Sequence, residues 1–188
     1  MAVGMAGAKP GSPAGRWGAR AVGLGCLLTL VACSPTFNWR QVRLADFDLR
    51  VMLPCKPQSA QRTVGVEGLS ADLHMLSCDA GGVTFAVSAM RMPAGAEVGA
   101  VLDGWKQASL LSLKVPVDQA KTWQPPVRWV GRVSGWQADG VRHDGVPVKA
   151  QAVMLAHGAE VYQVAIYGAV TQQVLIELLD GLQRDPTP

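Results

Sequence analysis

The chain has 188 residues, with 17 lysines and arginines against 14 aspartates and glutamates. Lys9, Arg16 and Arg20 fall within residues 1–32, which hold no acidic residue, so residues 33–188 carry 14 charges of each sign. That balance argues against nucleic-acid binding, which needs a basic face, and against strong attraction to anionic lipid. The remaining length is that of one domain.

The first segment of interest is the apolar run from Ala21 to Ala32, which follows these basic residues. Its length is typical of a secretion signal, and it is shorter than the about 20 apolar residues that cross a bilayer. No second uninterrupted run of that length occurs, so the sequence does not predict a polytopic membrane protein. We therefore predict a signal peptide over residues 1–32, translated from Met1 or from Met5.

The last three residues of the signal and the residue after it are Leu30-Val31-Ala32-Cys33, which resembles the lipobox of bacterial lipoproteins. The resemblance implies a diacylglyceryl group on the Cys33 thiol, cleavage by signal peptidase II before Cys33, and acylation of the new amine. Two or more chains would hold the protein stably to a membrane. In that family an Asp after the cysteine favours the inner membrane, so Ser34 implies the periplasmic face of the outer membrane. An ordinary signal peptide with a chance cysteine is the alternative.

Two further cysteines, Cys55 and Cys78, remain after Cys26 is assigned to the signal and Cys33 to the lipid. Because the compartment oxidises thiols, we predict a disulfide between them, and two buried free thiols are the alternative. We expect a short tether over residues 33–41, one domain over 42–183 and a frayed tail over 184–188. Within the tether, Phe37 and Trp39 suit either the headgroup region or a first strand packed on the core, and we favour the strand.

Hydrophobic periodicity predicts the elements of the domain in chain order. Strands are expected over 47–53, 71–78 and 83–92, with a turn at 79–82 between the last two. Helical spacing follows over 98–113, although Gly99 and Gly104 weaken that helix. Further strands are expected over 128–137, 148–156 and 161–166, and the turn signals between the first two are Asp139-Gly140 and Asp144-Gly145. Thr171 can cap a last helix.

This order predicts an α+β domain, a mostly antiparallel sheet with two packed helices. The order, together with the Leu53-Pro54 stop after the first strand, resembles the PsbP-like α/β/α sandwich over most of residues 42–183. Members of that family are mainly non-catalytic accessory proteins, so the resemblance implies an accessory role rather than an enzyme.

Residues that could carry catalysis are in unfavourable settings. Ser134 lies in Gly131-Arg-Val-Ser-Gly135, which has the wrong spacing for a nucleophile elbow and falls in an expected strand. Asp46 and Asp48 suit a solvated strand edge, and no phosphate-binding glycine motif occurs. We therefore predict neither a catalytic site nor a cofactor.

Metal or ligand binding is the chemical alternative. His74 and Cys78 lie four residues apart, and soft sulfur ligands with imidazole suit copper(I), although alternation separates His74 from Met75. The other sulfur ligands considered are Met52, Met90 and Met92. The tryptophans Trp105, Trp123, Trp129 and Trp136 could line a ligand site, but core packing is the simpler interpretation. The sequence thus predicts a non-enzymatic, lipid-anchored envelope protein that binds a protein partner, with a small-ligand or metal-binding lipoprotein as the alternative.

Overall fold

The computed structural model describes residues 36–184 apart from positions 45 and 67. Cys33 and the predicted signal peptide therefore lie outside the described residues. The strands are β1 (Arg40–Arg43), β2 (Leu49–Leu53), β3 (Gln58–Val66), β4 (Leu69–Ala80), β5 (Val83–Arg91), β6 (Lys121–Trp123), β7 (Arg132–Val141), β8 (Pro147–His157), β9 (Glu160–Tyr167) and β10 (Gln183–Arg184). The helices are α1 (Val98–Ser112), a 3-10 turn (Val117–Gln119) and α2 (Gln172–Asp180).

The strands form two antiparallel sheets. The larger has the order β3-β4-β5-β9-β8-β7-β6, and the smaller has the order β1-β2-β10. The central strands β5, β8 and β9 are the most apolar, which fits their burial on both faces. The fold class predicted from the sequence, α+β with a mostly antiparallel sheet and two helices, is confirmed.

The two faces of the large sheet are covered by different layers. Helix α1 packs on one face, where the core includes Leu110, Trp136 and Met154. The small sheet and α2 pack on the other, where it includes Phe85 and Leu178. We call these the helix-side core and the inter-sheet core. Because successive strand residues point to opposite faces, β5 supplies both cores.

Two predicted strand boundaries were wrong, for local reasons. The strand expected from 47 begins at Leu49, because Asp46 has a φ of 66° and forms the turn that precedes it. The strand expected over 128–137 is β7, from Arg132 to Val141. Gly131 has a φ of 134°, so pairing with β8 starts only at Arg132. Asp139-Gly140 is not a turn, since the strand continues to Val141.

The expected tether and tail are both shorter than predicted. Strand β1 begins at Arg40, inside the segment 33–41. Arg184 does not fray, because it pairs with Leu49 in the small sheet, and only residues 185–188 of the expected tail lie outside the described residues. Strand β3 was not predicted, because seven of its nine residues are exposed and show no alternation.

Candidate functional site

An apolar groove of about 210 Å³ lies between α1 and the outer strands of the large sheet, and we call it the α1–β3 groove. Its apolar floor comes from β3, β4 and β5, and its other wall is α1. Arg62 is the charged side chain in its lining. The principal lining residues are Val64, Val66, Leu73, Met90 and Trp105.

The groove exists because one face of α1 carries small residues. Ala100, Gly104 and Ala108 follow each other at four-residue intervals, which places them on the same side of the helix. A Cβ atom built on Gly104 would meet no atom within 4 Å. The side-chain volume missing from this face is the space that a ligand could fill. From the sequence, Gly104 is expected only to weaken the helix, and its spacing from the two alanines is the signal that could have revealed the groove.

The strand beside the groove, β3, is an edge of the large sheet. It pairs with β4 along all nine of its residues, so its other side presents backbone N–H and C=O groups that no strand of residues 36–184 pairs with. Residues 58–63 of this strand are exposed. Proteins usually shorten such edges or place charges and bulges on them, because they attract further strands. A nine-residue free edge next to an apolar groove can accept an extended peptide.

A second cleft, of about 300 Å³, is polar and lies against β7, β8 and the end of β9. Its charged residues are Lys121, Asp139 and Lys149. Lys149 and Asp139 lie 3.6 Å apart, and both side chains are largely exposed. An exposed ion pair of this kind contributes little to stability and offers no chemistry beyond solvated charge.

A partly buried polar cluster closes one end of the inter-sheet core. The Tyr162 hydroxyl donates to the Glu160 carboxylate, and Arg91 and Arg184 lie 3.4 and 3.7 Å from the same carboxylate. The Arg91 guanidinium also donates to the Asp46 carbonyl at 2.5 Å. These contacts join β5, β9, β10 and the β1–β2 turn, so the cluster holds the two sheets together.

Burial and the neighbouring Glu160 carboxylate raise the pKa of Tyr162 far above its ordinary value. Burial alone raises the pKa of Tyr167 in the same direction. At neutral pH both hydroxyls are therefore protonated, and neither is poised to act as a base.

Cys55 and Cys78 lie at disulfide distance, as the sequence predicts, with sulfur atoms 2.06 Å and Cα atoms 5.8 Å apart. The bridge connects the chain just after β2 with β4, and so it joins the small sheet to the large one. Cys78 is buried in the inter-sheet core.

The residues considered for copper(I) do not converge. Cys55 and Cys78 are bonded to each other, and His74 packs on Phe47 in the inter-sheet layer, with ring centroids 5.3 Å apart. Met75, Met90 and Met92 pack on the helix-side core instead. Within the described part of the chain, no group of three or more His, Cys, Asp or Glu side chains could hold a metal ion.

The four tryptophans are also divided between the two faces of the large sheet. Trp105 and Trp136 belong to the helix-side core, and Trp123 and Trp129 to the inter-sheet layer. Trp129 donates its indole N–H to the Ala156 carbonyl at 3.0 Å. A single tryptophan-lined ligand site is therefore absent among the described residues, and Trp105 alone reaches the α1–β3 groove.

The remaining polar candidates serve the fold. Asp48 pairs with Arg43 at 3.2 Å, and the His157 Nδ1 atom lies 2.7 Å from the Val130 carbonyl. Ser134 is in β7, within its ladder with β8. Neither described helix is both long and apolar enough to cross a membrane. Comparison with protein-family models, with curated proteins and with solved structures finds no match for this chain.

Proposed function

We propose that this chain is a lipid-anchored, non-catalytic protein of the bacterial cell envelope that binds a protein partner. Cys33 carries the fatty chains and holds the domain at the periplasmic face of the outer membrane. The partner contributes an extended segment, which adds to the free edge of β3 and places apolar side chains in the α1–β3 groove. The groove beside this edge is the observation that supports partner binding most directly.

The size and lining of the groove favour a peptide over a free small molecule. Pockets for drug-sized ligands usually enclose about 300–1,000 Å³ and combine an apolar lining with a small number of convergent polar groups that fix orientation. The α1–β3 groove holds only about 210 Å³, and Arg62 is the one charged side chain in its lining. In peptide addition to a sheet edge, the backbone hydrogen bonds supply affinity, while a pocket needs to accept only one or two alternate side chains.

The experiment is site-specific photocrosslinking of the anchored protein in its native membranes. A photoreactive amino acid replaces Ala60, which is exposed on β3 and shares the groove's side of the strand with Arg62. The same amino acid at Val130, an exposed residue away from the groove, is the control. We expect one specific protein crosslinked from position 60 and not from position 130.

A pair of helix variants tests whether the groove is the site. Gly104→Leu fills the open space, whereas Gly104→Ala adds one methyl group where no atom lies within 4 Å. The crosslink from position 60 should disappear in Gly104→Leu and persist in Gly104→Ala, with both variants folded by circular dichroism. A crosslink that survives Gly104→Leu would contradict the groove as the partner site. Recovery of no specific protein from position 60 would contradict partner binding there.

A further inference from the structure

The covalent chain determines which end of the domain the anchor can reach. Only two residues, Ser34 and Pro35, separate Cys33 from Thr36, so the three Cα–Cα steps span at most about 11 Å. Thr36 lies against the β4–β5 turn, where its methyl carbon would be 3.0 Å from a Cβ atom built on Gly81. Phe37 then packs edge-on against Phe85, with ring centroids 6.1 Å apart. The chain therefore enters the domain at the β4–β5 turn.

Strand register shows which other segments share this end. Thr84 pairs with Tyr167, and Tyr167 in turn pairs with Ala150, so the end of β9 and the start of β8 lie beside the β4–β5 turn. The β7–β8 turn extends beyond that row of residues. The end of α1 is joined to it, because the Val141 N–H donates to the Leu113 carbonyl at 2.9 Å. The 3-10 turn belongs here too, because its Gln119 lines the polar cleft together with Lys149 and Gly168. We call this set of segments the tether end.

Exposed apolar side chains are concentrated at the tether end. Among the described residues, four large apolar side chains are strongly exposed. Three of them lie here: Leu111 in the last turn of α1 (77 % exposed), Val117 in the 3-10 turn (45 %) and Val146 in the β7–β8 turn (46 %). The fourth, Val130, lies at the opposite end, where its carbonyl is 2.7 Å from the His157 ring.

We infer that the tether end is a membrane-contact surface, on which Leu111, Val117 and Val146 enter the interfacial layer of the bilayer. This inference rests on the proposed lipid anchor at Cys33. Charges at this end balance: Arg142 lies 2.9 Å from Asp144, and Lys149 lies 3.6 Å from Asp139. The other charged side chains of these segments are two of each sign, Lys114, Lys121, Asp79 and Asp118. The contact is therefore apolar in origin and does not depend on anionic lipid, whose attraction requires clustered unpaired basic groups.

The same orientation exposes the proposed partner site. The α1–β3 groove is lined by the N-terminal two thirds of α1 and by residues near the β3–β4 turn. Those segments lie away from the tether end, because α1 begins near the end of β5 and runs back toward the β4–β5 turn. The domain therefore stands on its tether end with the groove directed into the periplasm.

The test uses nitroxide labels on the mature lipidated protein in phosphatidylcholine vesicles. Cys33 is blocked by lipid and Cys55 is bonded to Cys78, so an introduced cysteine is the single thiol available for labelling. Val117→Cys and Val146→Cys report on the tether end, and Val130→Cys is the matched valine control. Two independent reporter positions guard against a folding failure at either one. Mass spectrometry first establishes that the sample carries fatty chains.

In vesicles, we expect labels at positions 117 and 146 to lose accessibility to a water-soluble nickel chelate and to gain accessibility to oxygen. The reference sample is the same lipidated protein bound to a soluble lipoprotein carrier, without detergent and without a bilayer. The label at position 130 should not change. Adding phosphatidylglycerol to the vesicles should leave the pattern unchanged. Equal nickel accessibility at all three positions on a lipidated protein would overturn the membrane-contact surface alone. A protein without fatty chains would overturn the anchor and, with it, this orientation.

Discussion

At the residue scale, the Tyr162 hydroxyl is constrained both by burial of its ring and by a neighbouring carboxylate. The ring is fully buried and packs edge-on against Phe47 and Trp129, at centroid distances of 6.0 and 5.5 Å. Its hydroxyl donates to Glu160, which also faces two arginines. A phenolate at this position would be both desolvated and next to a carboxylate, so folding stabilises the neutral form.

Tyr162 should therefore make the domain sensitive to alkaline pH. Because burial and Glu160 raise its pKa on folding, its contribution is complete below the unfolded pKa of about 10 and is lost as pH rises above that value. Urea midpoints measured between pH 8 and 11 should fall more steeply for the wild type than for Tyr162→Phe. Burial also raises the pKa of Tyr167, so the urea midpoint of the variant should still fall somewhat with pH. An identical fall in the two proteins would contradict the role given to Tyr162.

The Cys55–Cys78 bridge gives a second prediction at this scale. Its two cysteines are 23 positions apart, and closing a loop of that size stabilises a domain by about 3 kcal/mol on the chain-entropy account. The Cys55→Ser/Cys78→Ser variant should lose about that free energy of unfolding in urea denaturation. A reductant should lower the stability of the wild type and leave the double variant unchanged. A wild type that does not respond to reductant would contradict the bridge.

At the element scale, α1 has two roles: its apolar side chains cover the helix-side core, and its small residues leave the α1–β3 groove open. Gly104→Ala should raise the free energy of unfolding by about 0.5–1 kcal/mol, because alanine is the better helix former and the added methyl group meets no atom within 4 Å. Gly99→Ala is the comparison: its Cβ would lie 2.8 Å from the Arg132 guanidinium, which must move, so the gain should be smaller. Thermal denaturation of both variants measures the difference, and a destabilised Gly104→Ala would show that the space is already filled.

Periodicity predicted the elements that bury one clear face and missed those that do not. Helix α1 was predicted to within one residue, and the Thr171 cap is present, with its Oγ1 accepting from the Val174 N–H at 3.4 Å. Strand β3 was missed because its polar side chains face solvent on both sides, and it is the strand that borders the candidate site. The groove needed the structure because it depends on α1, β3, β4 and β5 meeting in space.

At the scale of the whole molecule, the paired cysteines and the fold class could be predicted from composition and element order. The placement of the tether end and the α1–β3 groove at opposite ends of the domain could not. The tether enters at one end beside three exposed apolar side chains, and the groove opens toward the other. The sequence does not predict this arrangement, because Thr36, Leu111 and Val146 are far apart in the chain. The strand register brings their segments to the same end of the domain.

This arrangement depends on Cys33, whose replacement gives the last prediction. Two or more fatty chains hold a protein stably, since each buried methylene contributes about 0.8 kcal/mol, whereas a few exposed apolar side chains do not. Cys33→Ser in the full chain should therefore move the protein from the membrane fraction to the soluble fraction after a high-salt wash. Cys26→Ser, which changes a cysteine within the predicted signal, should leave it in the membrane fraction. A Cys33→Ser protein that still sediments with washed membranes would show that something other than lipid holds it there.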